Sequence, residues 1–372
     1  MNAKQRHIAA LTFGSPDKIP FSPGYPREST IKKWQSQGLP KNQNYIEALG
    51  ELLGFTPDPH TVGYPAVTRM IPAFEEEVLE RRDGHLIVRD WMGAVVEISD
   101  CFDVSYLRAA KDFVTRKWHR FPVNNRDDWI EMKRRYDAKD EQRYGDLLHA
   151  KNEADKLGSP IFWAVNGPFW QLREWMGFEG LCVAMHDEPD FVFEMADFWN
   201  NFVADVLKRA CETCVPDHIM INEDMAYKAH AMISPSMTRE YVLPSYVNWK
   251  KISFNAGTAV FDVDSDGYIG TLLPLWVEAG VNCNSPVEVA AMNDIVAFRG
   301  QYGESMAYRG GIDKRCIAAG GDALKNEVMR VVPPMQKAGG FIPGCDHGVP
   351  PDISWQNFIK YSRLLAQLGG WI

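Results

Sequence analysis

The stretch FDVDSDGY, residues 261–268, decides the fold reading. Its first half continues an apolar run, residues 258–263, of the kind that forms a strand buried on both faces. Its second half, Asp264-Ser265-Asp266-Gly267, is polar and turn-forming. Alternation along a strand puts Asp262, Asp264 and Asp266 on one side. Three carboxylates so close must be paired, bind a cation or shift their pKa values. For Asp266 alone, an Asp-Gly turn is an equally simple explanation.

Similar units recur along the chain. Short apolar strands are expected at residues 19–23, 161–166, 217–222, 258–263, 280–283, 306–310 and 339–343, with an eighth near 60–64. Helices are expected at 189–214, 234–256, 322–338 and 354–368; the second opens Ser234-Pro235, a cap followed by proline at the first helical position. Strand–helix alternation predicts an α/β fold, a (β/α)8 TIM barrel, spanning residues 1–372 as one domain. Residues 78–89 read as a β-hairpin turning on Asp83-Gly84, with another strand at 94–98. Residues of about 75–120 thus form an early insertion. Its Trp91 is expected to fill the insertion's own small core.

Barrel enzymes carry their chemistry at the C-terminal ends of the strands. Here those ends carry Tyr25 and Arg27, Asn166 with Phe169 and Trp170, Glu223-Asp224, Asp264 and Asp266, and Gly344-Cys345-Asp346-His347. Cys345 and His347 can supply a thiolate and an imidazole to zinc; a buried thiol beside a loop histidine is the plain alternative. Trp163, Phe169 and Trp170 can stack a flat ligand or simply pack the core. Cys211 and Cys214 lie near a helix end, where a thiolate gains nothing from the helix dipole.

Composition narrows the function classes. The chain has 372 residues and a net charge of −9, with no dense Lys/Arg run, which argues against a nucleic-acid surface. No apolar run approaches the ~18 residues of a membrane span. The seven cysteines are scattered and residues 1–5 lead into a polar segment, so a cytoplasmic protein with reduced thiols is expected.

The chain resembles the superfamily of uroporphyrinogen decarboxylase and the corrinoid-dependent methyltransferases. The resemblance runs along nearly the whole chain. It is clearest at Pro16-Asp17-Lys18-Ile19-Pro20, Glu223-Asp224-Met225-Ala226, Ile233-Ser234-Pro235, Asp264-Ser265-Asp266-Gly267, Gly310-Gly311-Ile312-Asp313-Lys314 and Gly344-Cys345-Asp346-His347. It implies a (β/α)8 barrel, often a homodimer, with its site at the C-terminal mouth. The decarboxylases share an Arg-Gln-Ala-Gly-Arg-Tyr segment; here Tyr25-Pro26-Arg27-Glu28-Ser29-Thr30 keeps one arginine of two. In the methyltransferases, zinc is held by a His-x-Cys pair and a later Cys. Those positions here resemble Asp264, Asp266 and Cys345. Asp58-Pro59-His60-Thr61-Val62-Gly63, with Ser105 and Leu107, is similar to a cobalamin-carrying signature but lacks its later Gly-Gly.

The resemblance implies a methyltransferase that moves a methyl group from a small donor, such as a methoxylated aromatic, to the cobalt of a corrinoid on a separate protein. Zinc would be held by Asp264, Asp266, Cys345 and His347. Asp264, Asp266, His347 and Glu223 would carry the chemistry. Arg27, Tyr25, Trp163, Phe169, Trp170 and Asp224 would hold the donor; an ion pair within the fold is the other reading of Arg27. A decarboxylase of a small or tetrapyrrole acid, and a non-catalytic corrinoid- or tetrapyrrole-binding barrel, are the alternatives.

Overall fold

The computed structural model describes residues 1–104, 107–108 and 114–372. Its strands are β1 (Val62–Gly63), β2 (Glu77–Arg82), β3 (His85–Arg89), β4 (Val95–Ser99), β5 (Lys117–Arg120), β6 (Ile161–Asn166), β7 (His218–Asn222), β8 (Val260–Asp264), β9 (Cys283–Ser285), β10 (Ala307–Ile312) and β11 (Phe341–Cys345). Seven of them form a parallel sheet in the order β1-β6-β7-β8-β9-β10-β11. Helices connect successive strands and pack on the outer face, where Trp163, Val165, Ile219, Ile221, Phe261 and Val263 enter the main core.

The sheet is curled but open, and in this it departs from the expected closed barrel of eight strands. Residues 19–23 form no strand. Pro20, Pro23 and Pro26 each lack the N–H that a ladder needs. The segment still lies along the last strand. The Cys345 N–H donates to the Pro23 carbonyl at 3.1 Å and the Val349 N–H to that of Tyr25 at 2.8 Å. Pro26 and Val349 make one isolated parallel bridge.

The other strands are close to where the sequence puts them, with Ile161–Asn166 identical at both ends. The helix expected over 234–256 divides into Pro235–Tyr241 and Leu243–Ala256. Pro244 lies at the divide and cannot donate back to Glu240, so one continuous ladder is impossible there. Ser234 caps the first piece, its hydroxyl accepting from the Met237 N–H at 3.2 Å.

The insertion is a four-stranded antiparallel sheet, β2-β3-β4-β5. Asp83 and Gly84 have φ of 49° and 77°, so both turn residues adopt the left-handed conformation of a tight hairpin. Leu86, Val88, Val96 and Ile98 form its own core. Trp91 does not join them. It packs against the main core, and its carbonyl accepts from the Phe74 N–H at 3.0 Å. Asp58 pairs with Arg6, and His60 is exposed near Glu153. Ser105, the other part of the cobalamin-like signature, lies outside the described residues. Among the described residues no helix is long and apolar enough to cross a membrane.

Candidate active site

Alternation assigns the inner face of the curled sheet. Val260, Cys283, Ala307 and Ile342 point inward and pack against Ala10 and Leu11 of the helix Ala3–Leu11, which seals the lower end. By the same alternation Phe162, Ala164 and Asn166 of β6, Met220 and Asn222 of β7, Asp262 and Asp264 of β8, and Arg309 of β10 also point inward. The burial changes with height. The lower layer is buried, whereas Ala164 is exposed between the buried Trp163 and Val165. An exposed alanine in the middle of a central strand means open space inside the sheet, reached from the C-terminal end.

Asp264 is the central group of this space. Among the described residues its carboxyl makes no hydrogen bond, although its carbonyl accepts from the Glu223 N–H at 3.0 Å. Burial pushes its pKa well above the usual carboxylate range, and Asp224, Asp266 and Asp262 add repulsion. This environment favours the protonated form, which has a proton to give or share. Asp224, with φ of 45°, turns its Oδ1 to accept the Asp266 N–H at 3.1 Å. Its pKa is raised too, by burial and then by Asp266.

At the rim, His347 Nε2 lies 2.9 Å from Asp266 Oδ2. This contact raises the His347 pKa and favours the imidazolium–carboxylate pair. Arg27 Nη2 approaches His347 Nδ1 at 3.5 Å. A groove of about 400 Å³ beside the pair is lined by Asp266, Tyr227, Glu288 and Arg315. Tyr25 is 79% exposed on the same rim.

The structure therefore brings Asp264, Asp266, Asp224, His347 and Arg27 together. It does not bring in Cys345. Phe341 and Cys345 belong to the main core while Ile342 faces the interior, so the thiol points away from Asp264 on the outer side of β11. Burial pushes that thiol up to about 12. Glu223 also points outward. It accepts the N–H groups of Trp170 at 2.8 Å and Phe169 at 3.4 Å, and the Tyr246 hydroxyl at 2.8 Å. It is thus the anchor of the helix Pro168–Met176, with burial pushing its pKa up to about 7. Trp163 and Phe169 are core residues, 3% and 1% exposed; the Trp163 indole donates to the Ala66 carbonyl. Trp170 is half-buried, its indole N–H on Glu174 at 2.7 Å.

The expected zinc set does not assemble. Cys345 faces the other way, and Asp266 and His347 are bonded to each other. Among the described residues no three His, Cys, Asp or Glu side chains gather as a metal site. These four residues do not fit a tetrahedral zinc.

Sequence reasoning missed three groups. Glu174, held near a pKa of about 7 by burial, accepts from Trp170, Asn166 Nδ2 and Gln171 Nε2. Arg173 donates to the Glu223 carbonyl at 3.0 Å and lies over the Phe169 and Trp170 rings. Arg309 lies inside the sheet with Asp262. A cation inside the expected strand run at residues 306–310 was the available signal for the last of these.

No protein-family model matches this chain, and no curated protein matches it. Among solved structures it is similar to a methyltransferase from Methanosarcina mazei, with a TM-score of 0.61 and 15% sequence identity over 98% of each chain. At that identity the likeness is one of fold.

Proposed function

We propose that this chain is a methyltransferase that takes a methyl group from a small methylated donor, with Asp264 as the acid that releases the donor's oxygen. The observation that carries the reading is an inward-facing carboxyl without a hydrogen-bond partner among the described residues, whose pKa is raised by burial and by Asp224, Asp266 and Asp262. The likeness in fold to a methyltransferase and the superfamily resemblance support it. The acceptor in this reading is the cobalt of a corrinoid on a separate protein, which approaches the open C-terminal mouth.

A methyl ether resists demethylation because an alkoxide or phenolate leaves badly. Breaking the C–O bond leaves the electron pair on oxygen, and the methyl group passes to the acceptor. The oxygen takes the Asp264 proton, so a neutral alcohol or phenol departs. The resulting Asp264 carboxylate regains a proton from solvent at the mouth. General acid help of this kind contributes about 10²–10⁴ in rate. Phe162 and Trp170 are the partly exposed rings of the interior and rim, and suit a methoxylated aromatic. The Asp266–His347 pair joins the two loops that follow β8 and β11 at the mouth.

The test is anaerobic incubation of the protein with a reduced corrinoid and a panel of methoxy, methylamine and methylthio compounds. Methylated-corrinoid absorbance growing with a methoxy compound, and not with Asp264→Asn, is expected. No methylation with any donor, or equal rates in the variant, contradicts the proposal.

A further inference from the structure

The interior holds a second polar system that the proposed acid step does not use. Asp262 is fully buried, and its Oδ2 takes three donors: Arg309 Nη1 at 3.0 Å, Ser285 Oγ at 2.9 Å and His218 Nε2 at 3.2 Å. His218 Nδ1 is in turn 2.9 Å from His7 Nε2, on the helix that seals the lower end. Burial lowers the pKa of both histidines, which favours neutral rings. Ser285 and His218 donate to that Asp262 oxygen, and the Arg309 guanidinium is the countercharge of the buried carboxylate.

The position of Arg309 explains what it is for. In the strand register Asp264 pairs with Ser285, and Asn284 pairs with Tyr308. Arg309 follows Tyr308, so it lies on the rung of Ser285 and Asp264 and points into the same space. Its side chain is 26% exposed. One of its five N–H donors is used by Asp262; among the described residues the other four have no partner. The guanidinium carbon lies over the Phe162 ring, 5.5 Å from its centroid.

A guanidinium fixed by one carboxylate, with its remaining N–H groups open to the cavity, is a ready site for a planar anion. Three other cations near the mouth are engaged: Lys314 with Glu288 at 2.8 Å, Arg315 with Asp313 at 2.8 Å, and Arg173 with the Glu223 carbonyl and two rings. We propose that Arg309, held by Asp262 and backed by His218 and His7, is the anion anchor of the cavity and binds the carboxylate of an aromatic donor. The inference rests on the methyl-donor reading of this cavity and names the donor class. The carboxylate lies inward on the guanidinium, and the ring rises past Asp264 toward the mouth.

Calorimetric titration with 4-methoxybenzoate and 4-methoxybenzamide tests this without any acceptor present. A failed methyl transfer and a failed anion anchor are then read separately. Wild-type protein should bind the benzoate about tenfold or more tighter than the amide, as a charge-assisted pair requires. Arg309→Met should erase that preference by weakening the benzoate alone, and Arg309→Lys should keep part of it. Wild type that does not bind the benzoate, or binds the amide equally well, overturns the inference even if Arg309→Met fails to fold. So does an Arg309→Met protein that keeps the preference.

Discussion

His347 and Asp266 meet at 2.9 Å across the mouth, joining the loop after β11 to the loop after β8. Their side chains are 26% and 36% exposed, so solvent screens the pair. Folding raises the His347 pKa, which means that the folded state favours the protonated ring. The pair's contribution is full below the unfolded pKa and is lost as pH rises through the folded one. Asp266→Asn should therefore cost about 1 kcal/mol or less in mildly acid solution and nothing in alkali. Proton NMR titration of the His347 ring should show its pKa falling in the variant; an unchanged value means the contact is not formed.

Asp264 makes a contribution that changes with pH in the same direction, through burial instead of a partner. Its folded pKa is raised well above the ordinary carboxylate value, so the folded state binds a proton that the unfolded state has lost. Stability contributed by that proton is present below the unfolded pKa and declines as pH rises toward the folded one, by up to about 1.4 kcal/mol per pH unit. Urea unfolding at about pH 5 and about pH 8 should show a steeper decline for wild type than for Asp264→Asn. Parallel pH profiles would place the carboxyl in its ionised form and remove the acid.

Cys345 lies behind β11, in the core. Cys345→Ala should retain turnover and lose about 1 kcal/mol of stability, as a small core deletion does. In the folded protein iodoacetamide should spare Cys345, whose thiol is buried and held up to about 12, and modify the exposed Cys101. Loss of activity in a folded Cys345→Ala protein would return this thiol to the site.

Glu223 and Gly167 pack as one unit. A Cβ at Gly167 would stand 2.1 Å from Glu223 Cδ, so Gly167→Ala must displace the carboxyl that accepts from Trp170, Phe169 and Tyr246. Gly167→Ala should cost about 3 kcal/mol or more and Glu223→Ala about 2–4 kcal/mol. The double variant should lose much less than their sum, because each change removes the same contact. Additive losses in denaturant titrations would show two independent sites.

Most strands were legible because each is a short apolar run ending in polar residues, as at Ile161–Asn166 and Val260–Asp264. The closing strand was not, since the prolines of residues 20–26 remove the ladder donors that an apolar count cannot see. The carboxylates at 262, 264 and 266 were legible as a cluster; their division was not. Only tertiary contacts show that Asp262 is held by Arg309 and His218 while Asp264 has no partner among the described residues. The direction of Cys345 was hidden because β11 is buried on both faces, which removes the polar–apolar alternation that fixes parity. Arg173 and Glu174 lie on the helix Pro168–Met176, whose rotation about its axis is set by the Glu223 anchor and not by its own pattern.

The central claim is that Asp264 protonates the departing oxygen, and leaving-group dependence tests it most directly. Methyl-transfer rates should be measured for wild type and Asp264→Asn over methoxyarenes whose phenols range from weakly to strongly acidic. An acid matters most where the leaving group is most basic. The account predicts that the variant loses about 10²–10⁴ on the poorest leaving groups and little on the best, giving a steeper slope than wild type. An equal loss across the whole series would contradict it, and would leave Asp264 a binding or structural residue.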